Sequence, residues 1–476
     1  MVWIAHAGGE ILCQRGRPLS QLTRQMRANG FGEEALAMTR GMMAEATREA
    51  ARAMFDCALA ECNVARALER SVRYGERVLS VGGQDFDLAQ YERLAVVALG
   101  KAGHSMAEAL AAVVPEPWTG IVACPAVPPS PVKGLQYFAG GHPMPNEDSL
   151  RAGGAVLTLL RGLPSRALVV FLISGGASAM VEWPLEESLT LSDIVATNQA
   201  LVHSGAPIAE INAIRKHLSA IKGGRLALAA AGTTQVSLLI SDVPDSELDA
   251  LASGPTMPDR STVEDCYAIA ERYGLAARFP QAVLEIFEKK QLRETPKAGD
   301  AAFAHSRIVT VLSNETAVRA AAERATGLGF AVEVDNRCDD WDYAAAGDYL
   351  LERLRQLRTK SARACLISGG EVTVKVGPNG GVGGRNQQFA LYCGPKIAGE
   401  AITVLSAGTD GIDGNSTAAG AVVDGTTRAR MSEANLDAAG GLANFAAFPL
   451  LEAIGDTIVT GPTGNNVRDL RILLAY

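Results

Sequence analysis

Short apolar runs recur along the chain. Each ends in a turn bearing glycine or polar residues, and most are followed by an Ala- and Leu-rich amphipathic segment. The clearest run is ALVVFLI, 167–173, which carries no charge and stops at Ser174-Gly175-Gly176-Ala177-Ser178. Its length, its branched residues and its glycine boundary predict a strand buried on both faces, as in parallel sheets. Strands are likewise predicted at 94–99, 121–124, 236–240, 308–312, 331–334, 364–367, 403–405 and 471–474. Helices are predicted over 34–71, 104–114, 150–160, 190–203, 208–221, 343–358 and 386–393. Strand, turn and helix follow one another in the order that βαβ units require. At 372–376 the period changes: Val372, Val374 and Val376 alternate with Thr373 and Lys375, the pattern of an antiparallel strand.

The polar stretch 289–299, with Pro296, reads as a linker. It divides the chain into a first α/β domain over 46–295 and a second, with a mixed sheet, over 300–476. Residues 1–45 stand apart: Arg15, Arg17, Arg24 and Arg27 face only Glu10 within the first thirty positions. They read as a disordered basic extension, or as a start codon placed too early with Met43 as the later start, in preference to a transit peptide.

Composition narrows the classes. With 48% hydrophobic and 20% charged residues, the 476-residue chain has the balance of a soluble globular protein. A net charge of −8 gives no support for nucleic acid as a partner, so an anionic substrate needs a local basic site. The eight cysteines form no C-x-x-C pair, which argues against a disulfide framework or a zinc site and for a reducing, cytoplasmic setting. No apolar run approaches the roughly 18 residues that a membrane span needs.

Several motifs are absent. No G-x-G-x-x-G follows a strand, which removes the fingerprint of a nicotinamide or flavin site. Ala95 and Ala102 break a Walker loop around Gly100-Lys101. Met180 stands where the hydrolase elbow around Ser178 needs glycine. Asp410 and Asp413 lack calcium-loop spacing.

What remains is a set of polar residues at predicted strand ends, where open α/β sheets bind ligands. Lys101 sits in a glycine turn after the 94–99 run; it is either a ligand or a solvated lysine. Ser174, Gly175, Gly176 and Ser178 offer backbone N–H groups and hydroxyls, and Gly369, Gly370 and Glu371 form a second such turn. Asn314 and Glu315 follow another strand end. Asp242 and Asp410 either hold Mg²⁺, accept a proton or cap turns. Arg385 precedes a helix that Asn386 opens; a guanidinium there opposes the macrodipole, so it either binds an anion or is an outward-pointing loop arginine. Asn212, Lys216 and Ser219 share one helix face, and with Arg215, Lys222 and Arg225 they form a basic patch or a solvated face. Glycine loops, a lysine, an arginine and strand-end aspartates together suggest phosphoryl transfer.

Ten stretches in order carry a resemblance to a known family. They include GKAGHSMA (100–107), GGHPMPNEDS (140–149), LISGGASAM (172–180), INAIRKHLSAIKGGRLA (211–227), LLISDVPD (238–245), GGRNQQFAL (383–391), AGTDGIDGNSTAAGAVVD (407–424) and TGPTGNNVRDLRILL (460–474). From about residue 45 onward the chain resembles the class II glycerate kinases, glycerate 2-kinases whose C-terminal part is the MOFRL domain. The resemblance implies a Rossmann-like α/β/α parallel-sheet domain, a second α/β domain and an active site in the cleft between them. It implies ATP-dependent phosphorylation of D-glycerate at the 2-hydroxyl with Mg²⁺, and leaves a homodimer open. Lys101, Arg385 and Asp242 match the family's active-site Lys, Arg and strand-end Asp. Where the family's loop reads SGGGSA, this chain has Ala177. The alternatives are an NAD(P)H-dependent hydroxypyruvate reductase, a label that relatives carry, and a non-catalytic nucleotide-binding relative.

Overall fold

The computed structural model describes residues 3–5, 11–13, 28, 33–377 and 380–476. The arginines and Glu10 of the expected basic extension lie outside the described residues.

The chain divides into two compact units at boundaries other than those expected from sequence. One is Asn63–Ser313; the other joins Met1–Cys62 to Asn314–Tyr476. The segment predicted as one helix over 34–71 is two, α1 (Glu33–Glu61) and α2 (Val64–Ser71). Asn63 separates them, its side chain accepting the Arg66 N–H as an N-cap. α1 belongs with the C-terminal residues for an electrostatic reason. Its buried Arg48 donates to Asp424 at 2.8 Å and also pairs with Asp456. Met43, inside α1, packs on Ala401 and Tyr476. Nor is 289–299 a linker: Thr295 is buried and donates to Asp259 at 2.9 Å, and the Pro296 carbonyl accepts the Asp259 N–H.

Six strands form the sheet of the 63–313 unit: β1 (Arg93–Leu99), β2 (Thr119–Cys124), β3 (Leu135–Ala139), β4 (Ala167–Ile173), β5 (Thr234–Ile240) and β6 (Ser306–Leu312). All pairs are parallel and the spatial order is β6-β5-β4-β1-β2-β3. The chain reverses its direction of travel across the sheet between β1 and β4, and the crevice beyond their carboxyl ends is where such sheets bind ligands. All seven residues of β4 are buried. Helices α3 (Gly103–Val113) and α4 (Glu147–Arg161) follow β1 and β3; Val97, Phe171, Val156 and Leu160 meet in one core cluster. Three short antiparallel strands, Val72–Gly75, Val78–Val81 and Gln84–Asp87, precede β1 and were not foreseen, nor was β3.

The other unit holds β7 (Ala331–Val334), β8 (Ala364–Gly369), β9 (Ile402–Gly408), β10 (Gly420–Asp424), β11 (Thr457–Ile458) and β12 (Asp469–Ala475). Their order is β7-β8-β12-β9-β10-β11. Only β7 and β8 run parallel; β12 lies antiparallel to both β8 and β9. The sheet is mixed, but 372–376 is not one of its strands. Thr373 makes a single bridge to Asp342, Val376 is 55% exposed, and the pairing edge of β8 is occupied by β12 from far along the chain. Among the described residues, no helix is long and apolar enough to cross a membrane.

Candidate active site

In the 63–313 unit, three neighbouring strand ends bring predicted residues together. The turn after β1 lies against the turn after β4: the Lys101 N–H donates to the Gly175 carbonyl at 2.9 Å, and the Ala102 N–H to Ser174 Oγ at 3.0 Å. Ser174 thus staples the two turns together. Its hydroxyl also donates to the Leu99 carbonyl at 3.3 Å and its N–H to the same oxygen at 3.0 Å. Gly175 has no room for a side chain, since a Cβ there would lie 2.1 Å from Asp242 Oδ2. Asp242, just past β5, is thereby seated on the β4 turn.

Gly176 has φ +83°, a conformation that L side chains rarely adopt, and Lys101 Cγ and His142 Cδ2 each lie 3.2 Å from where its Cβ would be. Ala177 is already the first residue of a short helix, α5 (Ala177–Met180), so it never needs a positive φ. The methyl that distinguishes this loop from SGGGSA costs nothing in backbone strain. Among the described residues, no backbone carbonyl takes the N–H groups of Gly175, Gly176, Ala177 and Ser178. Lys101 is exposed beside them, and its ammonium together with partial burial holds the His142 imidazole below its ordinary pKa, burial being the larger cause. His142 was quoted in the GGHPMPNEDS stretch without a role; its place beside Lys101 depends on a fold contact that spacing does not reveal.

Helix α7 (Ile208–Leu218) reaches the same turn by a relay: Asn212 accepts from Ser253 Oγ at 3.4 Å, and Ser253 meets Ser178 Oγ at 2.9 Å. The predicted basic patch is otherwise internal. Lys216 is buried against Asp259 at 3.0 Å and Asp249 at 3.5 Å. Lys222 is buried against Glu182, which also accepts from Ser219. Arg215 donates to Asn198 at 2.9 Å, and Arg225 to the carbonyls of Arg293 and Glu294. Lys216 and Lys222 thus neutralise buried carboxylates inside the unit, while Arg215 and Arg225 are held by neutral oxygens.

The other unit gathers Arg385, Glu371, Asp410 and Asp469 at the carboxyl ends of β8 and β9 and the start of β12. Arg385 opens α10 (Arg385–Lys396). The anion its position called for is internal: Nε and Nη2 lie 2.6 and 3.1 Å from Asp469, and Nη2 lies 2.7 Å from Glu371. Burial and the nearby Asp469 raise the Glu371 carboxyl above its ordinary pKa, although Arg385 opposes them. A Cβ on Gly408 would sit 3.1 Å from Asp410 Oδ1 and 3.4 Å from Asp469 Oδ1, so two carboxylates flank that strand end. Asp469 was missed because its role depends on Arg385, 84 positions away.

Helix α10 is anchored by Asp413, buried and accepting the N–H groups of Asn386 and Gln387 at 3.1 and 2.8 Å. Burial pushes its carboxyl up to about 7. Asn386 is buried as well, accepting from Ser406 at 2.6 Å. The second glycine turn is also spoken for. Gly369 N–H donates to Asn336, Gly370 N–H to Asn314 and Glu371 N–H to Asp339. Buried Arg471 donates to the carbonyls of Gly369 and Gly370 at 2.7 and 3.1 Å. The N–H groups of Gly369, Gly370 and Glu371 are thus all taken by side chains of the protein. Glu315 is exposed in the first turn of the helix Asn314–Gly327. Asp339 and Arg468, paired twice at 2.6 Å, complete the support.

The sequence matches the description "Domain of unknown function (DUF4147)" over residues 50–288 and "MOFRL family" over residues 364–469. A D-glycerate 2-kinase of Thermotoga maritima is 36% identical over 388 residues, spanning 80% of this chain and 90% of that protein. A glycerate 2-kinase of Pyrococcus horikoshii is 34% identical over 416 residues, spanning 86% and 93%. An Agrobacterium vitis protein, provisionally named a hydroxypyruvate reductase, is 40% identical over 390 residues, spanning 80% and 87%. The crystal structure of a Thermotoga maritima glycerate kinase matches with a TM-score of 0.80 at 32% identity, covering 91% of this chain and all of that one.

Proposed function

Because the chain belongs to the class II glycerate kinase family with a C-terminal MOFRL domain, we propose that it transfers the γ-phosphoryl group of ATP to the 2-hydroxyl of D-glycerate, giving 2-phosphoglycerate and ADP. The observation that carries this reading is the turn after β4. Backbone donors there that no described backbone carbonyl takes lie beside the Lys101 side chain and the Asp242 carboxylate. Donors and a cation suit a phosphoryl group or a carboxylate, and a carboxylate held at a fixed place suits a hydroxyl that must lose its proton.

In this reading Lys101 and the Gly175–Ser178 N–H groups bind anionic oxygens, and Asp242 accepts the proton of the 2-hydroxyl. Arg385, oriented by Asp469 and Glu371, neutralises charge on the phosphoryl group in flight. Magnesium needs few protein ligands, commonly one or two carboxylates with phosphate oxygens and water for the rest. Asp242 or Asp410 would hold the ion through a carboxylate oxygen, and it would offset phosphate charge.

The strand order is also that of dinucleotide-binding sheets, and one relative carries a reductase name. The turn after β1, Gly100-Lys101-Ala102-Gly103, lacks the G-x-G-x-x-G spacing and places a lysine where a pyrophosphate would approach bare backbone. One assay decides. Purified protein is incubated with D-glycerate, ATP and Mg²⁺ and the product identified by ³¹P NMR, and in parallel with hydroxypyruvate and NADH. Appearance of 2-phosphoglycerate is expected; NADH oxidation without phosphorylation would overturn the reading.

A further inference from the structure

The unit that contains α10 holds a cavity of about 310 Å³ beside that helix's N-terminus. Its walls are the glycine-rich backbone of 380–384 and the side chains of Val374, Val376 and Phe445, with Gln388 and Asn415 at a polar edge. The volume falls at the lower end of small-molecule sites, roughly 300–1,000 Å³.

The lining excludes the charged reactant groups. None of the residues around the cavity is ionisable. A carboxylate or a polyphosphate there would be desolvated without a cation to meet it. A flat, neutral heteroaromatic ring fits far better. Bare glycine backbone lets a ring approach closely, and valine and phenylalanine line the space its faces would fill. The walls are held in place. Val376 lies over Gly380, and Asn415 ties the loop together by accepting the Gly383 N–H at 2.9 Å and donating to the Gly381 carbonyl at 3.3 Å.

The cavity is also correctly placed along the chain. Gly384 lines it, and the next residue is Arg385. A ligand with its neutral end among the glycines would direct a charged tail toward that guanidinium. We propose that this cavity takes the purine base of the nucleoside triphosphate, with the phosphates leaving it on the Arg385 side. The assignment rests on the kinase reading above and adds to it the place where the nucleotide's base is held.

Val376 is exposed, so charged substitutions there leave the fold intact. Val376→Glu and Val376→Lys are compared with wild type for binding of ATP and of inorganic tripolyphosphate, which has no base, and for turnover with D-glycerate. A base pocket predicts that both charges weaken ATP, by about tenfold or more, because each is disfavoured beside an apolar ring. Tripolyphosphate should then be unaffected or move with the sign of the charge. If Val376→Lys tightens ATP, or either variant leaves ATP affinity unchanged, the cavity does not hold the base. Wild-type protein that fails to phosphorylate D-glycerate at all would instead overturn the kinase reading.

Discussion

Asp469 grips both Nε and Nη2 of Arg385, at 2.6 and 3.1 Å, from the first position of a strand that begins 84 residues later. The fork is satisfied on one side by the protein and fixed in direction before any substrate arrives. Preorganised charge of this kind is worth most where it need not reorganise during reaction. Replacing Arg385 with Lys keeps the charge but loses the bidentate grip. Turnover should fall on the order of 10³-fold, the scale of an arginine acting on a transferring phosphoryl group. Circular dichroism and the melting profile should stay near wild type. Near-normal kcat in Arg385→Lys would remove Arg385 from the reaction.

A second prediction concerns Gly175. An alanine there places a methyl carbon within 2.1 Å of Asp242 Oδ2, so the carboxylate must move. Displacement of a reacting group by about 1 Å can cost on the order of 10²-fold in rate. The loss should appear in kcat of Gly175→Ala, with nucleotide affinity changed little. A wild-type rate would show that Asp242 has no role that depends on its position.

The buried carboxyl of Asp413 gives a pH signature. It titrates near 4 in an unfolded chain and is pushed up to about 7 in the fold, mainly by burial. Between those values the folded state binds the extra proton, so stability conferred by the protonated form is fully present below pH ~4 and is lost as pH rises toward 7. The slope is at most about 1.4 kcal/mol per pH unit. Asp413→Asn keeps an acceptor oxygen for one of the two backbone N–H groups, of Asn386 and Gln387, and cannot ionise. Urea titrations from pH 4.5 to 7.5 should show the variant gaining on wild type as pH rises; parallel profiles would contradict the burial argument.

Lys222 tests whether the basic patch is structural. It and Glu182 are 2% and 3% exposed, and removing the cation strands a buried carboxylate. Lys222→Met should destabilise by roughly 3–5 kcal/mol. Adding Glu182→Gln should recover at least half, because glutamine still accepts from Ser219. If Lys222→Met leaves stability alone and raises only the KM for glycerate, the lysine is a substrate ligand after all.

The parallel sheet was largely legible because its strands carry their own signal. Seven apolar residues at 167–173, closed by two glycines, have few other ways to fold. The alternation at 372–376 was equally plain but misled, because a strand needs a partner edge, and β12 took the edge on β8. Site residues divide in the same way. Lys101 and Asp242 announced themselves by standing at strand ends. The partners that decide what each charge does lie 40 positions away for Lys222 and 43 for Lys216. No local pattern encodes such pairs, and a lysine that neutralises a buried aspartate reads like one awaiting a substrate.

Helix α1 gives the chain an order of events during synthesis. Arg48 leaves the ribosome 376 residues ahead of Asp424, the acid it will pair with. At about 5–20 residues per second, the helix waits tens of seconds for its sheet, while the whole 63–313 unit emerges and can fold in between. The MOFRL-bearing unit is therefore completed only when residues 33–61 meet residues 314–476, synthesised long after them. A fragment begun at residue 314 would carry Asp424 and Asp456 buried without Arg48, and should be recovered as aggregate unless a separately expressed 33–61 peptide is supplied.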